Sequence, residues 1–140
     1  MFTICFCTSF KQDILQAHQN VLTNTIKLAL YTSSATIGHA TTAYTTTNEI
    51  SGAGYTAGGI TLSGANIWTD GTTVGFTFTN PTFGPMTASN IQSGLLYNST
   101  VSNKAVGVIG FASPLTCTNQ SLELLLPAST TNTGFFKLIG

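Results

Sequence analysis

Apolar residues return at every second position in one short run after another along this chain. Ile26, Leu28 and Leu30 point one way, with Lys27, Ala29 and Tyr31 the other. Val74, Phe76 and Phe78 alternate with Gly75, Thr77 and Thr79, and Leu122, Leu124 and Leu126 alternate with Glu123 and Leu125. A period of two is that of a β-strand with one face in a core. Ile91 to Tyr97 is strand-like, and Phe135 to Ile139 is the last such run. Ala105 to Phe111 is apolar on both faces, which predicts a central strand. Turn signals separate the runs at Thr69-Asp70-Gly71, Asn80-Pro81, Asn98-Ser99, Val101-Ser102-Asn103 and Ser113-Pro114, and Pro127 closes the Leu122 run. Strands at this spacing, after a single helix, predict an antiparallel β-sandwich rather than an α/β sheet. A length of 140 residues suits one domain, 1–140.

The start of the chain is different. Phe2, Ile4 and Phe6 fall on one face and Thr3, Cys5 and Cys7 on the other, as in a short strand or an extended arm over residues 1–8. Ser9 to Gln12 has the spacing of a capping box. Phe10, Ile14, Leu15, His18, Val21 and Leu22 then recur at helical spacing, which predicts a helix over 9–22. The opening residues lack the basic and apolar regions of a signal peptide, and no run is apolar enough for a membrane span.

Charge is scarce. Only 6% of residues are charged, with four lysines, four acids and a formal net charge of zero. An ordinary globular domain carries about 25%. Nucleic-acid binding is excluded by the lack of a basic footprint. A neutral surface offers little repulsion between copies, which points to life in an assembly. Thr supplies much of the polarity, at 26 residues, and suits a pleated surface.

Chemistry finds little purchase. Asp13, Glu49, Asp70 and Glu123 are scattered, with Asp13 and Glu123 reading as solvated. His18 reads as a packing residue and His39 as a loop residue, so no base is paired with a nucleophile. Cys5, Cys7 and Cys117 read as structural thiols, with a disulfide as the alternative, and their spacing is poor for a metal. Gly52 to Gly59 lacks the lysine and the helix of a phosphate loop. The chain therefore reads as a non-enzyme without metal or cofactor. Trp68, with Tyr44, Tyr55 and Tyr97, fits a core, an interface anchor or a sugar-stacking platform. Residues 32–57 form a long, nearly uncharged tract without periodicity, and loops of that length are usually functional. They are expected to be ordered by contacts, laid over the sandwich or onto a neighbouring subunit.

Beyond these patterns, several segments in order along the chain resemble a known family. They are the stretch from Ser9 to Leu15, IKLALYTSSATIG (26–38), TTAYTTTNEISGAGYTAGGITL (41–62), FTNPTF (78–83), GLLYNST (94–100) and NKAVGVIGF (103–111). Together they resemble the jelly-roll cement (decoration) proteins of short-tailed phages, of which a Bordetella podophage carries one. The resemblance implies a jelly roll on the capsid exterior, an oligomer and most simply a homodimer, bridging subunits of the major capsid protein and bracing the shell. The alternative is a tail-fibre or host-glycan-recognition module of the virion. Phe2, Ile4 and Phe6, as an added or swapped strand, and Tyr44, Tyr55 and Trp68, as aromatic anchors, are the expected oligomer or capsid contacts.

Overall fold

The computed structural model describes residues 2–126 and 136–139. In chain order its elements are β1 (Phe2–Phe6), α1 (Thr8–Leu15), β2 (Ile26–Thr32), β3 (Ile60–Thr61), β4 (Asn66–Asp70), β5 (Thr73–Thr77), β6 (Thr82–Asn98), β7 (Lys104–Glu123) and β8 (Phe136–Ile139). The chain is mainly β, with antiparallel sheets and one short helix. One sheet runs β1-β7-β6-β2-β3, and the other runs β4-β5-β8. The register Phe6↔Gly107, Leu96↔Gly107 and Leu28↔Leu96 puts Phe6 and Leu28 on one face of the large sheet. There Phe6 meets Phe10 of α1 and Phe76 of the small sheet, with ring centroids 5.4 and 5.8 Å away. Phe78 packs edge-on against Phe76. The period of two thus builds the sandwich core, with aromatic pairs at the join.

The N-terminal arm stays at home. β1 pairs with β7 of its own chain, Cys5 opposite Val108, because β7 presents a free edge there. Only the backbone of Phe2 is described. Pro127 lies outside the described residues.

The helix is shorter than its apolar stripe predicts. It ends at Leu15, Gln16 closes it, and Ala17 turns left-handed at φ 58°. Asn20 then accepts from the Leu22 amide at 3.0 Å, a side-chain turn that competes with helix. Ser9 is not the cap. Cys7 holds that position without a side-chain capping bond, and the Ser9 hydroxyl donates to the Thr41 carbonyl instead. His18 consequently leaves the stripe and stands exposed.

Ser113-Pro114 is not a turn but part of β7. Gly110 pairs with Ser93 and Leu115 with Ile91, so Phe111 to Pro114 bulge out opposite Gln92. A bulge has no ladder bond for the proline to lose. The Gln92 side-chain amide donates to the Phe111 carbonyl that the bulge frees.

Asp13 is buried rather than solvated. It accepts from Lys104 Nζ at 3.0 Å and from Gln19 Nε2 at 2.9 Å. Asn98, fully buried, donates to Gln19 at 3.1 Å and to Asn24 at 2.8 Å. This cluster ties the end of α1 to the last residue of β6 and the first of β7. Burial pushes the Asp13 carboxyl up, but hydrogen bonds from Gln19 and Lys104 and the Lys104 charge outweigh it and hold the group below its ordinary 3.8. A depressed carboxyl contributes stability above its ordinary value, and that stability drains away as pH falls through the lower folded value. Unfolding free energy should therefore drop below pH 3.8. Asp13→Asn should flatten that drop and cost about 2 kcal/mol at neutral pH, read from urea unfolding.

Candidate functional site

Residues 33–59 leave β2, cross one face of the large sheet and return as β3. Ala43 bridges to Lys104, Glu49 to Tyr31 and Ala53 to Thr87. One strap, whose sole charged residue is Glu49, therefore touches the start of β7, the outer edge of β2 and the far half of β6. The Ile50 amide donates to the Leu30 carbonyl at 3.0 Å, the Thr32 amide to the Asn48 carbonyl at 2.9 Å, and the Leu62 amide to the Ile26 carbonyl at 2.8 Å. The Leu30 amide donates to the Tyr55 hydroxyl at 3.0 Å. These bonds cover an edge that would otherwise template aggregation.

Glu49 is the hub. Its Oε2 accepts from the Tyr44 hydroxyl at 2.7 Å. Its Oε1 accepts from the Tyr55 hydroxyl and the Gly58 amide, each at 2.7 Å. The Tyr97 hydroxyl donates to the Gly58 carbonyl at 2.7 Å, and the Tyr31 hydroxyl to the Thr45 carbonyl at 2.6 Å. Tyr44 stacks on Tyr97 at 4.7 Å and Tyr55 on Phe83 at 6.2 Å. All four tyrosines of the chain converge here. Short bonds to a carboxylate are the strong kind. Burial, and after it the hydrogen bond to Glu49, pushes the Tyr44 and Tyr55 phenols well above their ordinary 10.0. Burial also raises Tyr31 and Tyr97.

Gly59 fixes where the strap turns back. Its φ is +73°, and a Cβ there would sit 1.8 Å from the Leu28 carbonyl oxygen. Only glycine fits that approach to β2.

The strap also walls a groove of about 480 Å³. Ile4, Cys5, Gly110 and Phe111 form its floor and far end, and Ser33, Ile37 and His39 belong to the strap side. Cys5 and His39 share this groove, yet burial raises the Cys5 thiol, the reverse of what a nucleophile needs. Burial, then the neighbouring Cys5, pushes Cys7 up to about 12. All three cysteines are free thiols, so no disulfide to Cys117 forms within the chain. Among the described residues no three His, Cys, Asp or Glu side chains gather to hold a metal.

The expected contact residues divide among separate places. Ile4 lines the groove, whereas Phe6 is buried in the sandwich. Tyr44 and Tyr55 are half-buried, with hydroxyls given to Glu49. Trp68 is 6% exposed, and its indole N–H has no partner among the described residues. The Trp68 ring is buried, and the Tyr44 and Tyr55 rings stack on Tyr97 and Phe83, so these three rings do not share one open face. Sequence reasoning missed Glu49 and Asp13 as hubs. The available signal was isolation: Glu49 is the sole acid between Asp13 and Asp70, with Tyr44 and Tyr55 on either side.

A second opening lies between α1 and the small sheet. It is an apolar cavity of about 210 Å³ walled by Phe6, Phe10, Ile14, Val21, Ile67 and Val74. Of its wall residues Ile67 is 42% and Val74 41% exposed, and Leu15 and Leu22, next in sequence to the wall residues Ile14 and Val21, are 88% and 53% exposed.

In class, this is an antiparallel β-sandwich with one helix and a strapped outer face. Comparisons with protein-family models, curated proteins and solved structures return no match.

The geometry makes the strap testable. Glu49→Gln turns one acceptor into a donor facing other donors and should cost about 2 kcal/mol in urea unfolding. Raised phenols stabilise the fold below pH 10, and that contribution is lost as pH rises through the folded values. Phenolate absorbance should thus appear together with loss of folded signal above pH 10; phenolate forming early in the folded chain would contradict the cluster. Gly59→Ala should destabilise by about 3 kcal/mol or more, measured by thermal melting.

Proposed function

We propose that this chain is a non-enzymatic capsid cement protein, binding the outer face of a phage capsid and bridging subunits of the major capsid protein. The observation that carries this reading is the apolar patch around the α1 cavity, with Leu15 almost wholly exposed on a chain of very low charge. Clustered exposed apolar residues on a soluble domain mark a protein-binding face. Most of the chain's polarity is hydroxyl and amide rather than ionic, and such groups lie against another protein at less desolvation cost than ions do. Many copies on one shell then multiply modest contacts through avidity. The segment-by-segment resemblance to phage cement proteins points the same way, as does the commitment of Asp13 and Glu49 to internal bonds.

Copy number tests the reading. In purified virions the chain should approach the abundance of the major capsid protein, by quantitative gel or mass spectrometry. A few copies per particle would instead identify a tail-fibre component, and absence from the particle would end the virion reading. The double variant Leu15→Ser, Leu22→Ser should keep its melting temperature yet bind capsids at least about tenfold more weakly, since each buried leucine is worth about 1.5–3 kcal/mol.

A further inference from the structure

The face of the large sheet that the strap crosses dips beside the start of the strap. Phe6 lies on the core face, so Cys5, one residue earlier, lies on the strap face. Cys5 pairs with Val108, and Gly110, two residues further on, pairs with Ser93. Cys5, Val108, Gly110 and Ser93 therefore share the strap face. Cys5 and Ser93 are short, and Gly110 has no side chain to raise the floor. The strap leaves β2 at Ser33 and reaches His39, whose carbonyl accepts from the Thr8 amide at 2.8 Å. The groove of about 480 Å³ is the space between that segment and the small-residue floor. Ser33 and His39 are exposed, and Cys5, Ser93 and Gly110 are half-buried, so the groove opens to solvent.

Its walls hold polar atoms that the fold leaves unused. The hydroxyls of Thr32, Ser33 and Ser93 and the side-chain carbonyl of Gln92 have no hydrogen-bond partner among the described residues, while the Gln92 amide nitrogen is taken by the Phe111 carbonyl. Comparable groups nearby are spent internally: the Thr41 hydroxyl accepts from the Gly38 amide, and the Asn48 amide donates to the Ser34 carbonyl. Hydroxyls both donate and accept, and the Gln92 carbonyl accepts. His39 Nδ1 lies 3.3 Å from the Phe6 carbonyl and donates to it, which leaves Nε2 as an acceptor. Among the described residues no Asp, Glu, Lys or Arg lines the groove, and burial raises the Cys5 thiol, which keeps it neutral. A charged ligand would give up its hydration there for no counter-ion. A pure hydrocarbon would leave the hydroxyls dry and unpaired. What matches is a neutral molecule rich in hydroxyls, with C–H surface for Ile37 and Phe111. The volume falls within the range of about 300–1,000 Å³ found for small-molecule sites.

We infer that the strap groove binds a neutral saccharide unit, whose ring hydroxyls exchange hydrogen bonds with Thr32, Ser33, Gln92 and Ser93 and whose C–H face lies against Ile37 and Phe111. A peptide main chain asks for donors and acceptors at regular spacing along a strand, and these scattered side chains do not offer them. The inference goes beyond the capsid reading and does not rest on it. The groove shares no wall residue with the α1 cavity, and it uses none of Tyr44, Tyr55 and Trp68. A shallow site with a handful of hydrogen bonds binds weakly, with a dissociation constant of about 1 mM. Carried in many copies on one surface, such sites act together.

The test is NMR on the labelled full chain. Glucose, galactose, mannose and N-acetylglucosamine are titrated singly, with inorganic phosphate and a peptide of alternating Thr and Val as comparison ligands. At least one sugar should shift the amide signals of Ser33, Ile37, Ser93 and Gly110 together and to saturation, while phosphate and peptide leave them in place. The double variant Ser33→Ala, Ser93→Ala removes hydroxyls that hold nothing in the fold. It should keep its melting temperature and bind that sugar about tenfold more weakly. Ser33→Trp fills the groove from an exposed strap position and should abolish the shifts. Undiminished binding by either variant, shifts centred away from the groove, or no shift with any of the sugars would overturn the inference. Phosphate shifting these residues in place of sugar would make the groove an anion site, and the peptide doing so would make it a peptide site; either result overturns the saccharide. The mapping on the unaltered chain decides the matter whichever variant folds.

Discussion

One carboxylate holds down the outer layer of this molecule. Glu49 takes two phenolic hydroxyls and a backbone amide, all at 2.7 Å, inside a chain that has almost no other charge to offer. A partly buried anion is costly unless its lone pairs are filled. Here they are filled by groups that belong to the strap itself or to residues beneath it. The same bonds place Tyr55 where its hydroxyl receives the Leu30 amide, so fixing the strap and covering β2 are one event. The rigid wall of the groove beside β1 follows from that anchoring, because the strap residues that form it continue directly from β2.

The second acid with internal partners works at the turn between β6 and β7. Asp13, Gln19, Asn24, Asn98 and Lys104 join helix, connecting loop and hairpin through a single hydrogen-bonded group. Between these two anchors the fold relies on apolar burial, with the phenylalanines joining the layers. Asp70 and Glu123 remain at the surface. A chain with so few ions can leave long stretches of its exterior to hydroxyl and amide groups. Such a surface suits prolonged contact with protein better than transient encounter steered by charge.

The strand framework was legible because alternation is local: Ile26 to Tyr31, Val74 to Phe78 and Ile91 to Tyr97 each carry their own period. The strap's ordered state was readable from its length and lack of charge, but its anchoring was not. Tyr31, Tyr44, Tyr55 and Tyr97 meet only after β2 and β6 pair, and no short-range pattern records that. The helix end was misjudged for a related reason. Leu15, His18 and Leu22 continue a helical spacing that Ala17 and Asn20 interrupt through backbone and side-chain geometry. The β7 bulge was hidden because Ser113-Pro114 has the same appearance in a turn as in a bulge, and only the opposing Gln92 distinguishes the two.

The pairing of β1 with β7 sets a schedule for the chain as it is made. Phe2 to Phe6 are translated well before their ladder partners, which run from Gly107 to Phe111. The strap, by contrast, closes onto β2 from the residues that directly follow it. Local closure precedes distant pairing, since joining far-apart segments carries the larger loss of chain entropy. β1 is thus seated only once β7 has emerged, and until then it travels as an unpaired apolar ribbon beside a partly built sandwich.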